Sequence, residues 1–226
     1  KEEVGYTYDE FRRSFKTDRE EIERQRKTRF DRNPVISIVV PMFNTPERYL
    51  FALIDSCIGQ TYDKWQLCLA DGSETDALGE VITKRYPKES RIVYKHLEKN
   101  DGIAANTNAA LELATGDFLA LADHDDLLSK EAMWRLAEAI NTSENVEVIY
   151  TDEDKVDGEG KNFFEPAFKP DYSIDYLCDV NYICHLFVFS RRVYEQVGGF
   201  DSTYDGAQDH DFILRSCEAA KQVYHI

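Results

Sequence analysis

Between Val35 and Tyr150 the chain alternates short apolar runs with amphipathic stretches. VISIVVP, Val35 to Pro41, is a β-branched run, the pattern of a strand buried on both faces. From Pro46 to Gln60, Leu50, Leu53, Ile54, Cys57 and Ile58 fall on one helical stripe, with Pro46 near its start. WQLCLAD, Trp65 to Asp71, predicts a second strand, Ala77 to Tyr86 a second helix and RIVYKHL a third strand. An Ala-rich helix is expected over Asp101 to Ala114, with Gly116 just past its end. FLALAD predicts a fourth strand, Ser129 to Ile140 a helix N-capped by Ser129, and VEVIYTDED a fifth strand. Strand and helix alternating through short connections imply an α/β fold: a mostly parallel sheet with helices on both faces.

The pattern changes on either side of this block. Tyr6 to Arg32 is highly charged, with thin apolar spacing at Tyr8, Phe11, Phe15 and Ile22. It predicts an N-terminal helical extension over residues 1–33, which Asn33-Pro34 terminates. Lys161 to Asp179 is aromatic-rich and irregular, with Pro166 and Pro170. ICHLFVFS, Ile183 to Ser190, predicts a strand, and Arg191 to Val197 a short helix ended by Gly198-Gly199. Gln208 to Ala220 predicts a helix with Asp209 and Asp211 in its first turn. The first residue is not Met, and the last four, Val223-Tyr224-His225-Ile226, read as the middle of a strand. The expectation is a domain cut from a longer protein, truncated at its C-terminal end.

Composition narrows the partners. Acidic side chains number 43 against 27 basic, a formal net charge of −16, which is the wrong sign for a nucleic-acid backbone. A hydrophobic fraction of 42% with 12% aromatics supports a packed core. The five cysteines (Cys57, Cys68, Cys178, Cys184 and Cys217) form no C-x-x-C pair, and the three in apolar surroundings, Cys57, Cys68 and Cys184, read as reduced core residues of a cytosolic chain. No apolar run is long enough to span a bilayer. Neither G-x-x-x-x-G-K-[ST] nor G-x-G-x-x-G follows the first strand, which disfavours nucleotide hydrolysis and dinucleotide binding.

Open α/β sheets bind ligands beyond the carboxyl ends of their strands. Three of those ends are chemically loaded: Pro41-Met42-Phe43-Asn44, Asp71-Gly72-Ser73 and Asp123-His124-Asp125. Mg²⁺ is commonly held by one or two carboxylates plus substrate phosphates, and Asp123 and Asp125 suit that task. Asp126 suits a helix cap instead. Asp152-Glu153-Asp154 offers the same spacing, but Lys155 to Gly160 after it reads as a polar turn, so it ranks second. Asp209, in GAQDHDF, fits either helix capping or a general base. The aromatics between Asn162 and Tyr182 (Phe163, Phe164, Phe168, Tyr172, Tyr176, Tyr182) either pack in the core or line a ligand groove, and core packing is the commoner fate.

Taken in order, VVPMFN, QTYDKWQLCLADGS, KNDGIAANTNAALELATGDFLALADHDD, YTDEDK, FKPDYS, VGGFD and AQDHDF resemble the family 2 glycosyltransferases of the GT-A fold, in the bacterial branch that builds surface polysaccharides and related glycans. The resemblance runs from Val35 to Ile226. It implies a Rossmann-like GT-A domain over residues 34–226, with a nucleotide-sugar-binding half at 34–126 and an acceptor-binding half at 127–226. It implies inverting transfer of a hexosyl or related sugar from a nucleoside-diphosphate sugar, UDP or dTDP foremost, to a glycan, glycolipid or glycoprotein hydroxyl, with Mn²⁺ or Mg²⁺ as cofactor. Pro41, Asn44, Asp71, Gly102, Asn106, Asp123 and His124 would meet the donor. Asp123 and Asp125, with His225, would hold the metal, and Asp209 would be the catalytic base.

Two departures stand out. Gly72 occupies the place of a second acidic residue, and Gln208 replaces the usual Glu before Asp209. A cytoplasmic location follows from the resemblance, at the inner face of the membrane for a lipid-borne acceptor. The charged N-terminal helix is a candidate contact for a homo-oligomer. Two rival classes stay open: a non-catalytic glycan- or nucleotide-sugar-binding domain of a multidomain protein, and a nucleotidyltransferase. Against the latter, PMFNTPER is a poor Gly-rich, basic triphosphate loop.

Overall fold

The computed structural model describes residues 7–14 and 17–226. Among its described residues the N-terminal extension holds two helices, α1 (Tyr8–Ser14) and α2 (Arg19–Lys27), rather than one. Asp18 causes the second start: its side chain accepts from the Glu21 N–H as an N-cap. Phe15 of the expected stripe, and Tyr6 at the start of the segment, lie outside the described residues.

The central domain follows as β1 (Ile36–Met42), α3 (Glu47–Ile58), β2 (Trp65–Asp71), α4 (Ala77–Arg85), β3 (Ile92–His96), α5 (Ile103–Leu113), β4 (Phe118–Leu121), α6 (Ala132–Thr142) and β5 (Val146–Tyr150). Then come β6 (Glu153–Val156), β7 (Phe163–Ala167), α7 (Ile174–Asp179), β8 (Phe187–Ser190), α8 (Arg191–Val197), a single 3₁₀ turn at Ser202–Tyr204, α9 (Gln208–Ala219) and β9 (Gln222–His225). Seven strands form one sheet in the order β3-β2-β1-β4-β8-β5-β9. Every pairing in it is parallel except those of β8, which runs antiparallel to both β4 and β5.

The period-2 alternation of β1 divides the core. Ile36, Ile38, Val40 and Met42 join α3, α4 and α6 on one face. Val39 joins α5, α8 and α9 on the other. Leu50, Leu53 and Trp134 on the first face and Phe189 and Phe212 on the second are essentially inaccessible. Each such side chain contributes roughly 2 kcal/mol of burial before entropy is charged against it.

Three elements depart from the expected bounds. The helix expected from Ser129 starts at Ala132 and has no side-chain cap. Tertiary contacts hold the preceding residues outside it: the Ser129 carbonyl accepts from Gln60 Nε2 and the Lys130 carbonyl from the Thr61 N–H. The expected fifth strand stops at Tyr150, because Glu153–Val156 leaves the sheet to pair with β7 as a separate hairpin. Its turn is the polar one expected, with Asp157 accepting from the N–H groups of Glu159 and Lys161. The expected strand from Ile183 begins only at Phe187. Residues 183–186 are irregular backbone. Among the described residues no helix is long and apolar enough to cross a membrane.

Candidate active site at the carboxyl rim of the sheet

The ends of β1, β2 and β3 are tied together by Ser73. Its hydroxyl accepts from the Asn44 N–H at 2.8 Å and donates to Asp71 Oδ1 at 2.5 Å. Its carbonyl meets His96 Nε2 at 2.8 Å. Asn44 bends this rim in a left-handed conformation, φ 51°, which Asn tolerates better than most residues.

Asp71 has no exposed surface. Oδ1 accepts from both the N–H and the hydroxyl of Ser73, and Oδ2 accepts from the Tyr94 hydroxyl at 3.0 Å. Burial, and then Asp71 itself, push the Tyr94 phenol upward. Asp71 therefore organises the rim from beneath and offers no free oxygen to the crevice. Gly72 has a packing reason as well. A Cβ there would lie 2.8 Å from Asn106 Nδ2 and 3.3 Å from the Asn100 backbone.

Asn106 is buried on α5. Its Nδ2 donates to Asn100 Oδ1, while its own Oδ1 is buried without a hydrogen-bond partner. Gly102, at φ 97°, takes the Asn100 side chain on its N–H and opens α5.

Beyond β4 the chain turns sharply at Asp123-His124-Asp125-Asp126. Asp126 does not cap α6. Its Oδ2 accepts from the Asp123 N–H at 2.9 Å, closing the turn. Asp123 and Asp125 are exposed, and His124 is half-buried. Burial raises the Asp126 carboxyl above the usual range, against the opposing pull of the Asp123 N–H and His185.

His185 is the residue that sequence reasoning missed. Its Nε2 lies 3.5 Å from Asp123 Oδ2, and its Nδ1 lies 3.9 Å from Asp126 Oδ2. Asp123, Asp126 and His185 each present a ligand atom within 4.8 Å of the others. The Cys184 side chain pushes the imidazole up to about 10, with help from Asp126 and Asp123, although burial opposes the charged form. No local spacing marks His185. It reaches Asp123 because antiparallel β8 sets Phe187 opposite Leu121.

His225 is placed elsewhere. Its Nε2 lies 3.0 Å from Asp152 and its Nδ1 3.4 Å from Asp171, and its ring stacks on Tyr150 with centroids 4.6 Å apart. It is not in the group around Asp123.

Asp209 opens α9. A pocket of about 200 Å³ is lined by Pro41, Asp123, Cys184, His185, Gln208 and Asp209, over a floor that includes Val39, Thr107 and Phe200. Burial, and then the charge of Asp123, raise the Asp209 carboxyl above its ordinary range, while His185 and Gln208 pull it down. Gln208 spans the entry to the helix. Its Oε1 accepts from the Gly206 N–H at 2.6 Å, and its Nε2 donates to Asp209 at 3.1 Å. Among the described residues that line the pocket, none is Lys or Arg.

The sequence pattern of glycosyl transferase family 2 matches residues 37–198, more than half of the chain. The chain belongs to this family. It is similar to the O-antigen biosynthesis protein RfbC of Myxococcus xanthus, with 35% identity over 199 residues, covering 88% of this chain and 16% of that protein. The chain thus spans about a sixth of that relative's length. Two solved structures share the fold. S. aureus TarS 1–349 in complex with UDP superposes with a TM-score of 0.69 at 21% identity, over 84% of this chain and 57% of that 1–349 chain. A mannosyltransferase, PcManGT from Pyrobaculum calidifontis, in complex with GDP-Man and Mn²⁺, gives 0.63 at 18% identity, over 91% of this chain and 60% of its own. The family 2 domain is thus a GT-A fold in this chain, with a mostly parallel sheet flanked by helices.

Proposed function

We propose that this domain transfers a sugar, with inversion, from a nucleoside-diphosphate donor to an acceptor hydroxyl of a glycan, glycolipid or glycoprotein. One observation carries the reading: Asp123, from the turn after β4, and Asp209, from the start of α9, face one pocket at the carboxyl rim of the sheet. The donor side is built mainly by 34–126, joined by Cys184 and His185 in the pocket wall, and the acceptor side by the rest of 127–226. The family membership and the UDP and GDP-Man held by the two structural neighbours support a nucleotide-sugar donor.

The donor set fits a hard divalent cation. Exposed carboxylates of Asp123 and Asp125 stand at the turn, with Asp126 and His185 beside Asp123. Among the described residues no Lys or Arg lines the pocket to balance a diphosphate. When bound, Mn²⁺ or Mg²⁺ neutralises the charge that gathers on the departing diphosphate.

The chain's own residues do the rest. Pro41, Asn44 and the Asp71–Ser73 pair shape the edge that receives the nucleoside, and Gly102, Asn106 and His124 border it. Asp209 accepts the proton of the acceptor hydroxyl as that oxygen bonds to the anomeric carbon. The bond from that carbon to the diphosphate oxygen breaks on the opposite face, so the configuration inverts. Burial suits Asp209 to this task, since a carboxyl raised above its ordinary range is a stronger base.

The test is calorimetric titration with UDP, dTDP, GDP and CDP in Mn²⁺, Mg²⁺ or EDTA. The expected result is one diphosphate that binds with metal and not with EDTA, and loses about 10-fold or more in affinity in Asp125→Ala. A folded protein that binds no diphosphate under any of these conditions overturns the proposal.

A further inference from the structure

Lys169 carries an ammonium in the interior, its side chain 4% exposed. Nζ donates to the carbonyls of Ile183, at 2.9 Å, and His185. Its nearest carboxylate, Glu153, stands 3.6 Å away and is itself 36% exposed. Burying an ammonium is costly, and one half-solvated carboxylate offsets little of that. The geometry shows what the cation does in return.

Residues 183–186 form neither strand nor helix, yet Ile183 is fully buried. Buried carbonyls outside regular structure need donors, and a lysine brings three to one point. The same segment is gripped from the other side by the Leu186 N–H, which donates to Thr151 Oγ1 at 3.3 Å. Lys169 is anchored in turn, because its own N–H donates to Asp152 Oδ1 at 2.8 Å, the oxygen that also meets His225. The clamped segment bears Cys184 and His185, two walls of the pocket that holds Asp123 and Asp209.

We propose that Lys169 is a positioning residue: its buried ammonium fixes the Ile183–His185 backbone and thereby sets Cys184 and His185 against Asp123 in the donor pocket. The effect on the donor rests on the function proposed above. The fixing of the segment does not, so the two are tested by separate readouts.

The first readout needs no nucleotide. Iodoacetamide alkylation is followed by site-resolved mass spectrometry, with the exposed Cys178 of the same molecule as the reference for the half-buried Cys184. In Lys169→Met the Cys184-to-Cys178 rate ratio is expected to rise about fivefold as the segment opens, with the far-UV circular dichroism unchanged. The second readout is the affinity for the diphosphate that wild type binds with Mn²⁺, expected to weaken about 10-fold from the displaced wall. Glu153→Gln keeps both carbonyl bonds and is expected to change either readout by less than about twofold.

A folded Lys169→Met with the wild-type ratio overturns the proposal. A raised ratio with unchanged diphosphate affinity also overturns it, leaving Lys169 a structural residue only. Should Lys169→Met not fold, Lys169→Gln, a shorter neutral donor, replaces it under the same criteria. If wild type binds no diphosphate, the functional reading fails, while the Cys184 ratio still decides whether Lys169 fixes the segment.

Discussion

Ionised Asp209 works against the fold at neutral pH. Its folded carboxyl is raised above the unfolded value, mainly by burial, so the native state prefers it protonated. Stability attached to this group is present at low pH and is lost as pH rises through the elevated value. Asn keeps the shape and still accepts from Gln208 Nε2, yet carries no charge to desolvate. Asp209→Asn is therefore expected to raise Tm at pH 7 and to lower turnover by about 100-fold or more. Thermal melts beside a donor-turnover assay check both halves. A folded Asp209→Asn with wild-type turnover removes Asp209 as base.

At this scale the sequence marked some residues and misjudged others. The positions of Asp123 and Asp125 after a strand and of Asp209 at a helix start were legible because strand ends and helix starts carry local signals, although Asp125 lies outside the pocket. Asp71 was legible as a rim residue but not as a buried one, since its burial depends on Tyr94 and Ser73 arriving from other segments. Asp126 was read as a cap for a helix that, in the fold, begins six residues later.

Among the elements, β8 decides most. It is the strand that breaks the parallel sheet, and it inserts between β4 and β5, which the alternation from Val35 to Tyr150 leaves as neighbours in sequence. Its insertion brings His185 to Asp123. The base of this part of the sheet is held by Glu147 on β5, which is 6% exposed and paired with Arg192 on α8. Lys221, just before β9, adds its N–H at 2.7 Å. Burial alone would raise the Glu147 carboxyl, but the Arg192 and Lys221 contacts outweigh it and hold it below the usual range.

The sign follows from that lowering. This contribution is present above the ordinary carboxylate value and is lost as pH falls through the folded one. Arg192→Ala leaves Glu147 with Lys221 alone and, since Arg192 is 41% exposed, is expected to cost about 1 kcal/mol at pH 7. The loss should shrink as pH falls and Glu147 protonates. Urea denaturation of both proteins at pH 7 and pH 4 measures it, and an equal loss at both values refutes the pairing as its cause.

The whole molecule carries a formal charge of −16. Self-repulsion at that charge opposes the compact state, and salt screens it over about 10 Å at 0.1 M. Raising NaCl from about 0.05 M to about 0.5 M is expected to raise Tm by a few degrees, and scanning calorimetry without divalent ions tests this. A flat or falling Tm means that the exposed ion pairs, such as Lys155–Glu165, outweigh the repulsion. The same excess of negative charge makes a bare diphosphate an unwelcome ligand, which is why the binding experiment turns on metal.

The sequence by itself determined the alternation of strands and helices, the two-faced core of β1, and the carboxylates standing at strand ends. These follow from short-range physics: side-chain periodicity, β-branching and the turn residues. Only the tertiary structure decided which of those groups meet. It put Asp209 and Asp123 in one pocket, exchanged His225 for His185 beside Asp123, and closed Asp71 beneath the rim. The place of His185 depends on where β8 pairs and on which buried donors, Lys169 among them, find the carbonyls of an irregular segment, and that of Asp71 on Tyr94 and Ser73. Such pairings join residues far apart in the chain, and no local pattern of hydrophobic and polar positions encodes them.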